Sequence, residues 1–294
     1  MVRRPAGHRL TAPPSNPAVR VTRLRAGALT AGVLLAACAS CTAPAANPTA
    51  DPTPGPTLVA VPARSGTLLA PPELPDDTRQ EWVDRLDRTT QRLASAGLEP
   101  LDDDWDGQLL VELPATAQAY AQLAGADSAD AAAISHCPPA GARITVNPAV
   151  GDEDPAYLDT LLLHEGVHIA TGSSCAGGRA PQWVEEGLAE WVACEPDADC
   201  LAAADEWVAH HLAENGTPAG LPEDADFRGS PRQVSAAYAL ARQAVASAVE
   251  RLGRPATMAL LATYYRGAAE PDQTQRLTAW YLADLQQLSG NAPR

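Results

Sequence analysis

The feature that most constrains this chain is an apolar run that contains two histidines and a glutamate. Residues 161–169 read Leu-Leu-Leu-His-Glu-Gly-Val-His-Ile. Residues four positions apart on an α-helix lie on one face, so His164 and His168 can direct two imidazoles at one point. Glu165 projects beside them, where its carboxylate can act as general base on a metal-activated water. The pattern His-Glu-x-x-His therefore predicts a zinc site on a helix.

A catalytic zinc site of this kind needs a third protein ligand. The metzincin class requires Gly and His at the third and sixth positions after His168, and this chain has Thr171 and Ser174 there, which excludes that class. A glutamate from a following helix is the other main solution. The segment 181–191 is predicted to be a helix and contains three candidates: Glu185, Glu186 and Glu190.

The motif and the later segment Trp183-Val184-Glu185-Glu186-Gly187-Leu188-Ala189-Glu190 together resemble the gluzincins, in particular the compact peptidase-MA-like bacterial families. The resemblance implies that Glu186, directly before a glycine, is the third Zn²⁺ ligand. It also implies that Glu190 orients a zinc-bound histidine from outside and that Glu185 faces solvent. One departure is the spacing, because the aminopeptidase branch has one more residue between the second histidine and the ligand glutamate. That difference argues against the branch but not against the clan.

Tyr238 lies on a later predicted helix and is a candidate catalytic residue. Enzymes related to the gluzincins often use a tyrosine or a histidine to stabilise the oxyanion of the tetrahedral intermediate. The alternative is an ordinary tyrosine on a helix face.

The N-terminus has the composition of a secretory signal. Residues 1–37 contain six arginines and no acidic residue, and they end in a short apolar stretch from Ala26 to Ala37. That stretch is too short for a spanning helix. The tetrad 35–38 resembles a bacterial lipobox, which implies cleavage before Cys38 and diacylation of its sulfur. Residues 38–75 are rich in Pro, Ala and Thr and are predicted to form a flexible tether.

The charge of the chain limits its partners. The whole chain carries −15, and removal of six arginines with the leader leaves −21. A folded part this acidic argues against nucleic acid and against anionic lipid headgroups as partners. The predicted location is therefore extracytoplasmic, with membrane attachment through the lipid on Cys38.

Residues 76–294 are predicted to form one domain of α+β class with a zincin-like fold. In this prediction a small β-sheet packs on the helix that carries the motif, and the C-terminal part is mainly helical. Two strands are predicted, at 108–113 and 143–147, and the second is expected to form an edge of the cleft and pair with an extended substrate. Helices are predicted at 76–97, 115–123, 155–171, 181–191, 201–214, 233–252, 256–265 and 273–288.

Four cysteines in this domain are expected to form disulfides outside the cell. They allow three pairings, of which we favour Cys194–Cys200 and Cys137–Cys175. The first closes a short loop after the Glu186 helix, and the second ties the strand region to the loop after the motif helix.

The residues together predict a zinc metallopeptidase that hydrolyses a peptide or protein substrate at the outer face of the membrane. Two alternatives stay open. One is a surface lipoprotein that binds zinc for assembly without turnover, and the other is a hydrolase of a non-peptide amide such as a cell-wall component.

Overall fold

The computed structural model describes residues 57–98, 101, 105–125, 128–138, 141–176 and 180–291. These residues form a mixed α+β structure with a small sheet and a mostly helical remainder. The predicted signal peptide and Cys38 lie outside the described residues. No helix in the described ranges is long and apolar enough to cross a membrane.

Five strands form one sheet in the described part of the chain. They are β1 (Val59–Ala63), β2 (Gly66–Ala70), β3 (Leu109–Glu112), β4 (Ala133–His136) and β5 (Arg143–Val146). Their order across the sheet is β1-β2-β3-β5-β4. The pairs β2–β3 and β3–β5 are parallel, whereas β1–β2 and β4–β5 are antiparallel.

The hairpin β1–β2 corrects the predicted boundary of the tether at residue 75. Leu68 and Ala70 are fully buried against the core, and β2 pairs with β3 from Gly66 to Leu69. Composition alone did not predict this hairpin, because proline and alanine predominate around a short segment in which apolar and polar residues alternate. The folded domain therefore begins at or before β1, and the rest of the predicted tether lies outside the described residues.

The position of β5 corrects the expectation that residues 144–147 form an edge of the cleft. β5 lies between β3 and β4, so its backbone groups pair on both sides. The edge strand next to β5 is β4, which was not predicted from the sequence because residues 129–133 are mostly alanine. A substrate strand therefore has no free edge of β5 to pair with.

The helices follow the predicted positions closely, apart from one short helix that was not predicted. They are α1 (Asp76–Ala96), α2 (Ala117–Ala124), α3 (Pro155–Ala170), α4 (Ser173–Ala176), α5 (Gln182–Cys194), α6 (Ala198–Asn215), α7 (Pro231–Leu252), α8 (Arg254–Tyr265) and α9 (Pro271–Asn291). The missed helix is α4, a single turn that begins three residues after α3 ends.

The motif helix α3 lies in the centre of the core. Asp154 accepts a hydrogen bond from the amide of Ala156 and caps the helix, and Pro155 occupies its first position. Leu161, Leu162 and Leu163 are all at most 1% exposed. Three consecutive residues point in different directions around a helix, so α3 is covered on every side. It packs on α1, α5 and β4, and its polar side chains must find partners inside the protein.

Candidate metal centre and active site

The side chains of His164, His168 and Glu186 converge on one point between α3 and α5. The Nε2 atoms of the two histidines are 3.2 Å apart. Glu186 Oε2 lies 3.3 Å from His164 Nε2 and 3.4 Å from His168 Nε2. All three residues are fully buried. The structure thus brings together the three ligands that the sequence analysis proposed.

The size of this triangle fits a zinc ion. With ligand distances of about 2.0–2.2 Å, neighbouring ligand atoms of a tetrahedral zinc site lie about 3.3–3.6 Å apart. The observed edges of 3.2–3.4 Å are close to that range. Both carboxylate oxygens of Glu186 lack a hydrogen bond within the described residues. Buried oxygens without a donor beside two imidazole nitrogens suit a cation at the centre of the triangle.

The electrostatics of the cluster also favour a cation. Burial alone would lower the pKa of His164, but the carboxylates of Glu186 and Glu190 outweigh it and raise that pKa to about 10. Burial alone would raise the pKa of Glu186, but His168 and His164 outweigh it and lower that pKa to about 2. A proton on His164 therefore compensates the buried carboxylates, and a divalent ion can replace it in that role.

The Nδ1 atoms of the two histidines, which face away from the triangle, have different polar neighbours. His164 Nδ1 lies 3.3 Å from Glu190 Oε1, the residue that the resemblance assigned to this role. His168 Nδ1 lies 3.1 Å from the hydroxyl of Ser173, the first residue of α4. Ser173 was not predicted, and the only signal in the sequence is a hydroxyl residue in the turn after the motif helix. Groups in these positions fix the ring orientation and the tautomer of a metal-binding histidine.

Glu165, the predicted general base, is buried on α3 next to His164 in the chain. It is 1% exposed, and neither of its carboxylate oxygens has a hydrogen-bond partner within the described residues. Burial and the charge of Glu165 raise the pKa of Tyr120, a fully buried tyrosine on α2. Tyr120 therefore lies within the electrostatic field of Glu165, and the sequence analysis missed it because α2 is remote from the motif in sequence.

Tyr238 lies on α7 beside His164, one of the candidate metal ligands. Its ring centroid is 6.0 Å from that of His164, and the side chain is 2% exposed. Phe227 packs edge-on against it at 5.5 Å. The structure therefore places this candidate catalytic residue next to the site.

Glu185 differs from the expectation that it faces solvent. The residue is 8% exposed, and burial is the main reason why its pKa is raised to about 7. It lies in the first turn of α5, near Asp224, which accepts a hydrogen bond from the amide of Gln182. The resemblance implied exposure, whereas in the structure Asp224 of the loop before α7 is bonded to this end of the helix.

Both favoured disulfides are present. Cys137 pairs with Cys175, and Cys194 pairs with Cys200. The first connects the end of β4 to α4, and the second connects the end of α5 to the first turn of α6. Each bridge thus lies next to an element that carries a residue of the site.

A cavity of about 890 Å³ lies between the sheet and α8 and reaches the end of α3. Its walls include Thr67, Trp105, Tyr265 and Ser173. Ser173 thus contacts His168 on one side and lines this cavity on the other.

Comparisons with known proteins give only distant matches. No family model matches the chain, and no curated protein matches it in sequence. Similar solved structures include an M1 zinc metallopeptidase from Deinococcus radiodurans, with 17% identity and a TM-score of 0.42. A single-site mutant from the same organism has 16% identity and a TM-score of 0.42, and a mutant two-domain M1 zinc metallopeptidase bound to L-arginine has 15% and 0.40.

Each of these alignments covers 80% of this chain and 51% of the other chain. The chain thus spans about half the length of the structures that it matches.

The adjacent glutamates on α5 give a direct test of the ligand set. We expect Glu186→Gln to lower zinc affinity by more than the roughly 10- to 100-fold that loss of an outer contact produces. Glu185→Gln should leave affinity within about tenfold of the unsubstituted protein, since its carboxylate is outside the triangle. Competition with a chromophoric chelator measures both. Equal losses in the two variants would contradict the assignment of Glu186.

Proposed function

We propose that this chain is a zinc-dependent peptidase that acts at the outer face of the cell membrane. The observation that carries the proposal is the triangle of His164, His168 and Glu186, with the buried, unpaired carboxylate of Glu165 on the same helix as the two histidines. Three protein ligands leave a fourth position for water or substrate, as in catalytic rather than structural zinc sites.

The proposed chemistry divides between the ion and the side chains. A zinc ion in this site would supply a Lewis acid that polarises the scissile carbonyl and makes water a nucleophile near neutral pH. Glu165 takes a proton from the attacking water and then gives it to the leaving amine. Its oxygens are free of hydrogen bonds to the described residues, so they are available for this transfer.

The other residues of the site hold the two imidazoles in position or stabilise the reaction intermediate. Glu190 and Ser173 keep the two imidazoles oriented through their outer nitrogens. Tyr238 is the proposed donor to the oxyanion of the tetrahedral intermediate, because its ring lies beside His164 and its phenol can donate a hydrogen bond.

The decisive variant is Glu165→Gln, which removes the base but keeps the size of the side chain. We expect the purified protein to degrade casein in a chelator-sensitive manner, and the variant to bind zinc equally but lose at least about 100-fold in rate. Glu206→Gln, at an exposed glutamate on α6, is the matched control and should keep full activity.

Two outcomes of this experiment would contradict the proposal. Full activity of Glu165→Gln would exclude the mechanism. Bound zinc without cleavage of casein or of a proteome-derived peptide library would support a binding lipoprotein or a non-peptide amide substrate instead.

The role of Tyr238 predicts a loss in kcat rather than in substrate binding. Tyr238→Phe removes only the hydroxyl, so we expect kcat to fall about 100- to 1000-fold with KM little changed. Tyr281→Phe provides a control at another buried tyrosine, on α9. Steady-state kinetics on a fluorogenic peptide would measure kcat and KM separately for both variants. An unchanged kcat in Tyr238→Phe would remove this residue from the mechanism.

The membrane attachment is a separate part of the proposal. A diacylated Cys38 provides two acyl chains, which suffice for stable anchoring. We expect the Cys38→Ala chain to move from the membrane fraction to the soluble fraction of expressing cells, whereas Cys41→Ala stays with the membrane. Retention of Cys38→Ala in washed membranes would argue for another mode of attachment.

A further inference from the structure

Ser173 contacts His168 in two ways. Its Oγ lies 3.1 Å from His168 Nδ1 and 3.3 Å from the main-chain oxygen of the same histidine. If Nε2 is to bind a metal, Nδ1 must carry the ring proton, and it then donates to Ser173 Oγ. The hydroxyl proton of Ser173 is left to point at the His168 carbonyl. This hydrogen-bond chain therefore fits the metal-binding tautomer of His168.

The turn that contains Ser173 also completes the C-terminus of α3. The last four carbonyls of a helix lack partners within the helix, and His168 provides one of them. The amide of Gly172 donates its hydrogen bond to the carbonyl of Ile169 and not to that of His168. The φ of Gly172, 70°, turns the chain back towards the helix. The hydroxyls of Ser173 and Ser174 then both donate to the His168 carbonyl, at 3.3 and 3.2 Å. Only Ser173 also reaches the ring.

A covalent bond holds this turn in place. Ser173 begins α4, and a helix of four residues is too short to persist without outside contacts. Cys175, two residues further on, is bonded to Cys137 directly after β4, with 4.9 Å between the Cα atoms. The sheet thus provides a fixed support for α4, and through α4 for the hydroxyl beside His168.

We propose that Ser173 is a positioning residue of the metal centre and that the Cys137–Cys175 disulfide keeps it in position, so that reduction of this disulfide lowers metal affinity. The proposal rests on the metal-binding part of the proposed function and requires no turnover.

The redox step needs an external dithiol. One thiolate of the dithiol attacks a sulfur of the bridge, and its second thiol resolves the mixed disulfide. Cys137 and Cys175 become thiols with two electrons and two protons from the dithiol, which ends as its own cyclic disulfide. Both cysteines are exposed, and Cys175 lines the large cavity, so a small dithiol can reach them.

The first experiment measures zinc affinity by competition with a chromophoric chelator. We expect Ser173→Ala to weaken zinc binding about 10- to 100-fold, the usual effect of losing an outer partner of a histidine ligand. Ser174→Ala is the matched control, because it removes a hydroxyl from the same carbonyl but not from the ring, and it should change affinity less than about threefold. Ser173→Thr keeps a hydroxyl and should restore most of the affinity.

The second experiment tests whether the disulfide acts through Ser173. The double variant Cys137→Ser/Cys175→Ser removes this bridge and leaves Cys194–Cys200 intact, which reduction of the unsubstituted protein does not. We expect it to lose zinc affinity by a factor similar to Ser173→Ala. Adding Ser173→Ala to it should cause little further loss, because coupled changes are not additive. Dithiothreitol should weaken zinc binding in the unsubstituted protein, and by a smaller factor in the double variant.

The outcomes separate this inference from the proposed function. Tight zinc binding that Ser173→Ala leaves unchanged overturns the positioning role, and additive losses overturn the link to the disulfide. Either result leaves the peptidase proposal standing. Weakened zinc binding in a protein without peptidase activity supports the inference and contradicts the proposed function. Thermal unfolding of each metal-free variant, followed by circular dichroism, distinguishes lost affinity from a lost fold, and a shared loss of the fold would also overturn the positioning role.

Discussion

The structure depends on the burial of a helix that carries two imidazoles and a carboxylate. Charged and polar groups inside a protein are stable only when other groups compensate them. Around α3 that compensation comes from neighbouring elements: α5 supplies Glu186 and Glu190, and α4 supplies Ser173. The three leucines before the motif fix α3 in the core. The polar cluster and the apolar core therefore both depend on the packing of α3 against α4 and α5.

Close packing between α5 and α7 determines where Glu186, the proposed ligand, points. A Cβ atom at Gly187 would lie 2.5 Å from the main-chain oxygen of Ala241, far inside the contact distance. Only a glycine allows α5 to approach α7 this closely. Glu186, one residue before it, is thereby held against α3, and Tyr238 on α7 is brought to within 6.0 Å of His164. The glycine at position 187 is thus required by the packing of the two helices.

Features that depend on neighbouring residues in the chain could be predicted from the sequence. The helix α3 has a capping aspartate, a proline at its first position and an apolar run around the motif, and its predicted limits agree with the structure. The pairing of Cys137 with Cys175 was also predicted correctly. Features that depend on contacts between distant parts of the chain were not predicted. The hairpin β1–β2 is stabilised by pairing with β3, and Ser173 is held beside His168 through a distant strand. Glu185 is buried by a loop some forty residues later.

The order of the strands also determines which strand would bear a pull on the N-terminal segment. The chain enters through β1 at one edge of the sheet, and β4, which packs on α3, is the opposite edge. With about 4.8 Å between neighbouring strands, the two edges are roughly 19 Å apart. A pull transmitted along the segment before residue 57 would load β1 first and would reach β4 only across three further strands. Under such a pull the hairpin would separate before the strand that packs on α3 is disturbed.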